Sequence, residues 1–149
     1  MDIKFMEAAI AEAKKAFNKG ETPIGAVIVK DGKIIARGHN SRETKRNALM
    51  HAEITAIDKA CRKLGGWRLC GCDIYVSLEP CPMCAGAIIQ SRIENVFFAA
   101  FDKKAGAFGS VCDLSGLLAH KVNAEGGIME QQSSAMIKLF FEKLRKKEI

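Results

Sequence analysis

Apolar and polar residues alternate along the chain with two periods, one typical of helices and one typical of strands. Residues 3–17 place apolar side chains every three or four positions among charged ones, which predicts an amphipathic helix that ends at residues 18–20. The apolar run at residues 24–29 predicts a strand. Asp31 and Gly32 are a strong two-residue hairpin signal, so residues 33–38 are predicted to return as the partner strand.

The middle of the chain predicts a loop and then a second helix. Residues 39–50 are polar and show no period, which is typical of a loop. The next helix is predicted to run from His51 to Leu64 and to stop at the glycine pair 65–66. Its apolar face is predicted to consist of Ile54, Ile57, Ala60 and Cys61.

The second half of the chain continues to alternate strands with helices. Strands are predicted at residues 73–78 and 95–100, with a helix at 81–90 between them. A Gly- and Ala-rich loop over residues 101–118 precedes a short strand at 121–125. The last helix is predicted over residues 129–147, with Met136, Leu139, Phe140 and Leu144 as its apolar residues. This order predicts an α/β fold with three layers, α/β/α, around a mixed central sheet of five strands.

Length and composition limit the class of protein. A chain of 149 residues with 48% hydrophobic and 27% charged residues is typical of one globular domain, which we predict over residues 1–149. No run reaches the ~18 apolar residues of a membrane helix, and charges interrupt the N-terminal segment where a signal peptide needs an apolar core. We therefore expect a cytoplasmic protein without membrane contact. The net charge of +6 favours an anionic partner only weakly.

Two short segments carry the candidate chemistry, His51-Ala52-Glu53 and Pro80-Cys81-Pro82-Met83-Cys84. One imidazole and two thiolates favour Zn²⁺, and three protein ligands leave the fourth tetrahedral position open for water. Zinc lowers the pKa of bound water from 15.7 to roughly 7, and Glu53 is then the candidate to move the proton from the attacking hydroxide to the leaving group. The order H-x-E…P-C-x-x-C matches the signature of zinc-dependent nucleobase deaminases.

Other readings of the cysteines stay open at this point. A C-x-x-C pair also occurs in redox proteins and as half of a structural zinc site. Neither alternative accounts for the preceding H-A-E, and a structural site needs a fourth ligand at similar spacing. We expect the remaining cysteines to be small buried or half-buried residues rather than disulfides, namely Cys61, Cys70, Cys72 and Cys112.

The predicted elements also place both segments at helix starts, next to the ends of strands. Two helix N-termini would then converge on one point, and their partial positive charges would stabilise thiolates and a developing oxyanion.

The chain resembles the bacterial tRNA-specific adenosine deaminases of the cytidine-deaminase-like superfamily over nearly its whole length. Guanine, cytosine and cytidine deaminases share the zinc motif, whereas the D-x-K-x-G-A-x-G-S loop, which begins at Asp102, resembles the RNA-acting branch. The residues Phe140-Phe141 and the basic residues after them resemble the C-terminal helix of that branch. The segments that carry the resemblance are residues 22–27, 38–40, 51–54, 78–87 and 101–110.

The resemblance implies a cytidine-deaminase-like fold, one Zn²⁺ per subunit, a homodimer, and a tRNA anticodon stem-loop as substrate. His51, Cys81 and Cys84 would bind zinc, and Glu53 would shuttle the proton as hydroxide attacks C6 of the wobble adenosine, position 34, to leave inosine. The implied RNA contacts are Asn40, Asp102, Lys104, Phe141 and Arg145. Asn40 also suits a simple turn, and Phe141 on an amphipathic helix also suits the core.

Two other functions remain open from the sequence. A deaminase of free guanine or cytosine would use the same scaffold, and a catalytically silent RNA-binding subunit would keep zinc as a structural ion. The intact Glu53 is evidence against a silent protein, because such a protein has no chemical need for the carboxylate.

Overall fold

The computed structural model describes residues 1–148 as a five-stranded sheet with helices on both faces. The strands lie in the order β2-β1-β3-β4-β5. Strand β1 is antiparallel to β2 and β3, whereas β4 is parallel to β3 and β5, so the sheet is mixed as predicted. The elements are α1 (Ile3–Asn18), β1 (Gly25–Lys30), β2 (Lys33–His39), α2 (Ala52–Leu64), β3 (Cys72–Leu78), α3 (Pro82–Gln90), β4 (Asn95–Ala100), β5 (Asn123–Glu125) and α4 (Glu130–Arg145).

Alternation along the strands divides the core between the two faces of the sheet. In β1, Ala26 and Ile28 belong to the cluster that includes residues of α2 and α3, whereas Val27 and Val29 belong to the cluster that includes α1. Helix α4 lies against β4 and also contacts α1 and β3. Because α2 and α3 cover one face and α1 and α4 the other, the predicted three-layer architecture is confirmed.

Local sequence signals fix several of the element ends. The Asp2 side chain accepts a hydrogen bond from the backbone N–H of Lys4 at 3.1 Å and caps α1. Asp31 and Gly32 both have positive φ angles, 52° and 72°, as a tight hairpin turn between β1 and β2 requires. Helix α2 ends at Gly65 in the left-handed conformation, φ 76°.

Two glycines let helices approach the sheet closely. A Cβ atom at Gly25 would overlap the carbonyl oxygen of Ala9 in α1. A Cβ at Gly38 would overlap the carbonyl oxygen of Ala52 at the start of α2. The first turn of α2 is therefore seated against β2 by direct backbone contact, which determines where His51 and its neighbours lie.

The prediction for the apolar face of α2 was right only in part, since Ala60 is fully buried and Ile57 and Cys61 are partly buried against the core. The residues with no exposed surface are Ala52, Ala56 and Ala60, and Glu53 is buried beside them. Ile54, Ile57 and Cys61 are only half-buried at the margin of the helix. Small alanines occupy the face because the helix packs too close to the sheet for isoleucine.

Three other expectations also need correction. In α4 the buried residues are Ser133 and Phe140, whereas Leu139 and Leu144 are exposed. Cys70 and Cys112 are exposed rather than buried, since both lie in loops. Strand β5 is shorter than predicted and covers only three residues. Among residues 1–148, no helix combines the length and hydropathy needed to cross a membrane.

Candidate active site

The site lies where the N-termini of α2 and α3 meet the carboxyl ends of β2 and β3. His51 is the N-cap residue of α2, and Cys81 is the N-cap residue of α3. Pro82 occupies the first turn of α3, where its missing N–H is no loss. Cys84 follows in that turn and is fully buried. Both helix dipoles therefore point their positive ends at the same cluster of side chains, which favours thiolate formation.

His51, Cys81 and Cys84 form a cluster with the geometry of a metal site. Their ligand atoms all lie within 4.8 Å of one another. His51 Nδ1 is 3.7 Å from Cys81 Sγ and 3.5 Å from Cys84 Sγ. Tetrahedral zinc with its usual bonds to sulfur and nitrogen places such ligand atoms roughly 3.5–3.8 Å apart. The donor set and its spacing therefore fit Zn²⁺.

Ionisation within the cluster follows from its hydrogen bonds. The thiol of Cys84 donates toward Cys81 and lowers the pKa of Cys81 to about 4. The same interaction, together with burial, raises the pKa of Cys84. The hydrogen bond with Cys81 raises the pKa of His51. The cluster thus already favours a thiolate at Cys81, the form that binds a metal.

Glu53 lies beside the cluster in the first turn of α2. It is 3% exposed, and burial raises the pKa of its carboxyl group to about 7. A carboxyl with a pKa near neutrality can both accept and donate a proton at physiological pH. The structure therefore places a suitable acid–base group next to the metal cluster.

A cavity of about 750 Å³ opens onto His51. Its walls come from the segment before β1, the loop after β2, the start of α2, the ends of β3 and β4, the loop after β4 and one face of α4. This volume suits a ligand of nucleoside size with room for neighbouring groups. The residues that line it are Thr22, Ile24, Asn40, Arg42, His51, Ala52, Leu78, Ala100, Phe101, Asp102, Lys103, Lys104, Glu130, Ser134, Ile137, Lys138 and Phe141.

Asn40 lies in the cavity wall with its side-chain amide already engaged. Its Nδ2 donates to the carbonyl oxygen of Thr22 at 3.3 Å, and its Oδ1 accepts from the backbone N–H of Arg42 at 3.2 Å. With these bonds Asn40 stabilises the turn after β2, which is the alternative role that the sequence left open. One N–H of the amide and one lone pair of its oxygen are still available to a ligand.

The other predicted RNA-contact residues divide into two groups. Asp102, Lys104 and Phe141 line the cavity, and Phe141 keeps 40% of its surface exposed. Asp102 Oδ1 accepts hydrogen bonds from the backbone N–H groups of Lys104 and Ala105, so it also shapes its own loop. Arg145 is exposed at the end of α4 and is not among the residues that line the cavity within residues 1–148.

Three basic residues at the cavity were missed by the sequence reasoning. Arg42 and Lys103 lie in the loops on either side of the opening, and Lys138 lies on α4. Lys138 precedes Phe141 by three positions, and residues three apart share one helix face. That spacing was the signal that could have identified Lys138. Arg42 carried no comparable signal, because its loop has no period.

Two buried glutamates were also missed, and each holds one loop of the cavity wall. Glu21 accepts hydrogen bonds from the backbone N–H groups of Glu43 and Thr44 and from the Thr44 hydroxyl. Glu79 accepts hydrogen bonds from the loop after β4. Burial alone would raise the pKa of each carboxyl group, but these donors hold both pKa values below the usual range. Both side chains are thus held as carboxylates inside the protein.

Comparison with known proteins identifies the family. Residues 1–100, which include the whole metal cluster, match the family model described as the cytidine and deoxycytidylate deaminase zinc-binding region. A tRNA-specific adenosine deaminase from Bacillus subtilis (strain 168) is 50% identical over 149 residues, which cover 99% of this chain and 92% of that protein.

Two solved structures extend the comparison. A structure from work on A-to-I editing by tRNA:A34 deaminases at the wobble position of transfer RNA has a TM-score of 0.85 and 40% identity, covering 91% of this chain and 99% of that one. A guanine deaminase from Bacillus subtilis has a TM-score of 0.64 and 49% identity, but covers only 66% of this chain and 63% of that one. The chain therefore belongs to the zinc-binding cytidine and deoxycytidylate deaminase family, within the group of the tRNA-specific adenosine deaminases.

Proposed function

We propose that the protein is a tRNA-specific adenosine deaminase that converts the wobble adenosine, position 34, to inosine. The observation that carries this proposal is the cavity, because it joins His51 to a mouth bordered by four basic side chains. A free base needs only the inner part of such a cavity, whereas a nucleotide within RNA brings phosphates to the mouth. The basic residues are Arg42, Lys103, Lys104 and Lys138.

The reaction adds water at C6 of adenine and releases ammonia. His51, Cys81 and Cys84 would hold the zinc ion, which supplies the Lewis acidity that makes water a nucleophile at neutral pH. Glu53 accepts a proton as the new C6–O bond forms. It then donates a proton to the exocyclic nitrogen, so that the C6–N bond breaks with a neutral amine as leaving group. The product is the 6-oxo base, hypoxanthine, still attached to its ribose.

The side chains around the cavity can keep the target nucleotide in place. An adenosine in an anticodon loop must be splayed out of its stack to reach a buried cluster. The exposed ring of Phe141 offers a flat apolar surface at the mouth for a base to stack on. The free N–H and lone pair of Asn40 are available to the edge of the target base. These features support the anticodon stem-loop as the substrate.

Deamination of free guanine is the second candidate. The Bacillus subtilis guanine deaminase shares 49% identity with this chain over the region they have in common. That likeness covers a smaller share of both chains than the likeness to the tRNA:A34 deaminase structure, and its TM-score is lower. The comparisons therefore support deamination of adenosine in tRNA better than deamination of free guanine.

Position-resolved mapping of inosine tests the proposal. A synthetic anticodon stem-loop with adenosine at position 34 is incubated with the zinc-loaded protein and digested to nucleosides and fragments for mass spectrometry. We expect inosine at position 34 and unchanged adenosines elsewhere in the loop. A stem-loop with guanosine at position 34 serves as the control. Inosine distributed over all loop adenosines, or none at all, would contradict the proposal.

We also propose that the protein is a homodimer, that residues 1–149 form one zinc-dependent deaminase domain, and that it works in the cytoplasm. Apolar residues exposed on the single chain support a dimer, including Val111, Leu117 and Leu118 in one loop. The contact of Phe140 with Phe17 supports a single domain, since it ties the last helix to the first. Six free cysteines suit the reducing cytoplasm. Light scattering that gives the mass of one chain at micromolar concentration would contradict the dimer.

A further inference from the structure

The side chain of Glu79 forms hydrogen bonds with residues 102–110, which we call the 102–110 loop. Glu79 is 2% exposed and follows the last residue of β3. Its Oε1 accepts hydrogen bonds from the backbone N–H of Asp102 at 3.1 Å and from the hydroxyl of Ser110. Its Oε2 accepts from the backbone N–H groups of Phe108 at 3.0 Å and of Ser110 at 3.1 Å. One carboxylate therefore holds both ends of the loop.

The space around this carboxylate is closely fitted. A Cβ atom at Gly106 would overlap the carboxylate group of Glu79, so the loop passes directly over it. The backbone N–H of Ala107 also donates to the carbonyl oxygen of Pro80 at 2.8 Å. Residues 79–80, which lead into Cys81, are thus bonded to the start, the middle and the end of the loop.

The loop in turn supplies the side chains of one cavity wall. Asp102, Lys103 and Lys104 line the cavity, whereas Glu79 is not among the lining residues within residues 1–148. Any effect of Glu79 on a ligand must therefore act through the loop. Resting on the proposed function above, we propose that Glu79 is a positioning residue for RNA, which fixes the 102–110 loop so that its polar and basic groups meet the backbone next to the target nucleotide.

The four donors explain why a carboxylate is needed. Each oxygen of Glu79 accepts two hydrogen bonds, so all four lone pairs are in use. In Glu79→Gln, which has almost the same shape, the side-chain NH₂ group is a donor and cannot accept. The Ser110 hydroxyl can turn to accept from this NH₂ group, but a backbone N–H cannot, so at least one backbone donor loses its partner, either that of Asp102 or those of Phe108 and Ser110. Buried donors without a partner destabilise the conformation that holds them. The 102–110 loop is then ordered in a smaller fraction of the molecules.

Steady-state kinetics with the anticodon stem-loop provide the first test. If the ordered loop falls to about one tenth of the molecules, KM rises about tenfold, because only that fraction is competent to bind. At saturation the bound RNA restores the loop, so we expect kcat to stay within about threefold of wild type and zinc to remain stoichiometric. Ser110→Ala removes only the hydroxyl donor and the bonds it makes, and should give a smaller rise in KM.

Trypsin provides a test that does not depend on activity. Lys103 and Lys104 are exposed cleavage sites within the 102–110 loop, and Lys45 and Arg46 are exposed sites in the loop held by Glu21. In Glu79→Gln we expect cleavage after Lys103 and Lys104 to accelerate about tenfold, while cleavage after Lys45 and Arg46 keeps its wild-type rate. The matched control Glu21→Gln should show the reverse pattern.

The outcomes separate this inference from the proposed function. Wild-type protein that makes no inosine from the stem-loop removes the proposed function, while the trypsin pattern still decides whether Glu79 orders the loop. Wild-type KM and wild-type cleavage rates in Glu79→Gln would overturn the inference. So would a variant that loses zinc together with kcat, because Glu79 would then act on the Cys81 segment and not on the loop. Should Glu79→Gln not fold, Ser110→Ala decides: an unchanged KM and cleavage rate in that variant would overturn the inference.

Discussion

Glu53 combines three properties that a proton shuttle needs: it is buried, it lies in the first turn of α2, and it stands two residues after a candidate metal ligand. Burial raises its carboxyl pKa to about 7, which an exposed glutamate would not show. The same helix carries an exposed acidic residue, Asp58, which forms an ion pair with Arg62 at 3.1 Å. The contrast between these two carboxylates allows a controlled test of the mechanism.

Glu53→Gln is expected to keep stoichiometric zinc and to lose inosine formation by more than the ~10²–10⁴-fold typical of one acid–base group. Activity falls because the glutamine amide cannot carry the proton. Zinc remains because the side chain at position 53 is not one of the proposed metal ligands. Single-turnover rates with the stem-loop and metal analysis on one preparation measure both quantities. Asp58→Asn is the control and should act as wild type. Near-normal inosine formation by zinc-loaded Glu53→Gln would remove this residue from the mechanism.

Phe140 and Phe141 are neighbours with opposite environments. Phe140 is 3% exposed and packs edge-on against Phe17 with ring centroids 5.9 Å apart, whereas Phe141 is 40% exposed at the cavity. Phe140→Ala is expected to reduce the free energy of unfolding by about 3–5 kcal/mol. Phe141→Ala should change the free energy of unfolding by about 1 kcal/mol or less and weaken stem-loop binding.

Chemical denaturation and RNA binding measured on both phenylalanine variants check this assignment. If Phe141→Ala bound the stem-loop with wild-type affinity, Phe141 would have no part in RNA recognition. If Phe141→Ala destabilised the protein as much as Phe140→Ala does, Phe141 would belong to the core and would not face the cavity.

At the scale of elements, close packing between helices and strands determines where the site residues lie. Helix α1 approaches β1 at Gly25, and α2 approaches β2 at Gly38, in both cases near enough to exclude a Cβ atom. We expect Gly25→Ala to lower the free energy of unfolding by about 3 kcal/mol or more, since the methyl group meets rigid backbone and not a movable side chain. For a chain of this length that corresponds to a fall in Tm of roughly 6 °C or more.

Gly66→Ala is the control for the packing prediction. A Cβ at Gly66 meets no atom within 4 Å among the described residues. Thermal unfolding followed by circular dichroism should show little change for Gly66→Ala and a clear fall in Tm for Gly25→Ala. Equal Tm values for the two variants would contradict the close approach of α1 to β1.

The sequence predicted the order and type of the elements, because most helices and strands have a clear apolar pattern and a glycine or a hairpin turn marks several of the ends. Strand β5 is the exception, since its three residues are all exposed. The sequence predicted Ala60 on the buried face of α2 but missed Ala52 and Ala56. Periodicity selects the large apolar residues Ile54 and Ile57, whereas a helix packed against a glycine of the sheet buries its small ones. That choice depends on a distance between elements, which the local sequence does not contain.

The candidate site shows the same division. His51, Glu53, Cys81 and Cys84 stand out because their residue types and spacing have a chemical meaning by themselves. Glu21 and Glu79 do not, since a glutamate in a sequence suggests surface charge unless its donors are known. Those donors lie more than twenty positions away along the chain. The sequence therefore identified the residues to which we assign the chemistry, and it did not identify the residues that hold the cavity walls.

Across the whole molecule, basic side chains form two groups, one at the cavity and one at the end of α4. Four basic side chains border the cavity, Arg42, Lys103, Lys104 and Lys138. Four others follow Phe141 toward the end of α4, Lys143, Arg145, Lys146 and Lys147. Replacing either group with glutamine changes the net charge equally, so the two variants differ only in where the charge is lost.

Removing the cavity-border group should weaken stem-loop binding more and make affinity less dependent on salt. Each lost phosphate contact reduces the slope of log affinity against log salt by roughly 0.7 for single-stranded nucleic acid. The variant at the end of α4 should show a smaller change of the same kind. Titrations over a range of salt concentrations measure both slopes. If the variant at the cavity border kept the wild-type slope, RNA would not approach through this opening.

A competition experiment decides whether the cavity takes an adenine that is still attached to RNA. Zinc-loaded wild-type protein is given the anticodon stem-loop and free guanine, cytosine and adenine together, and ammonia release is compared with inosine formed in the RNA. We expect ammonia and RNA inosine to be formed in equal amounts, with the free bases unchanged. Ammonia in clear excess over RNA inosine, with loss of a free base, would contradict the proposed function.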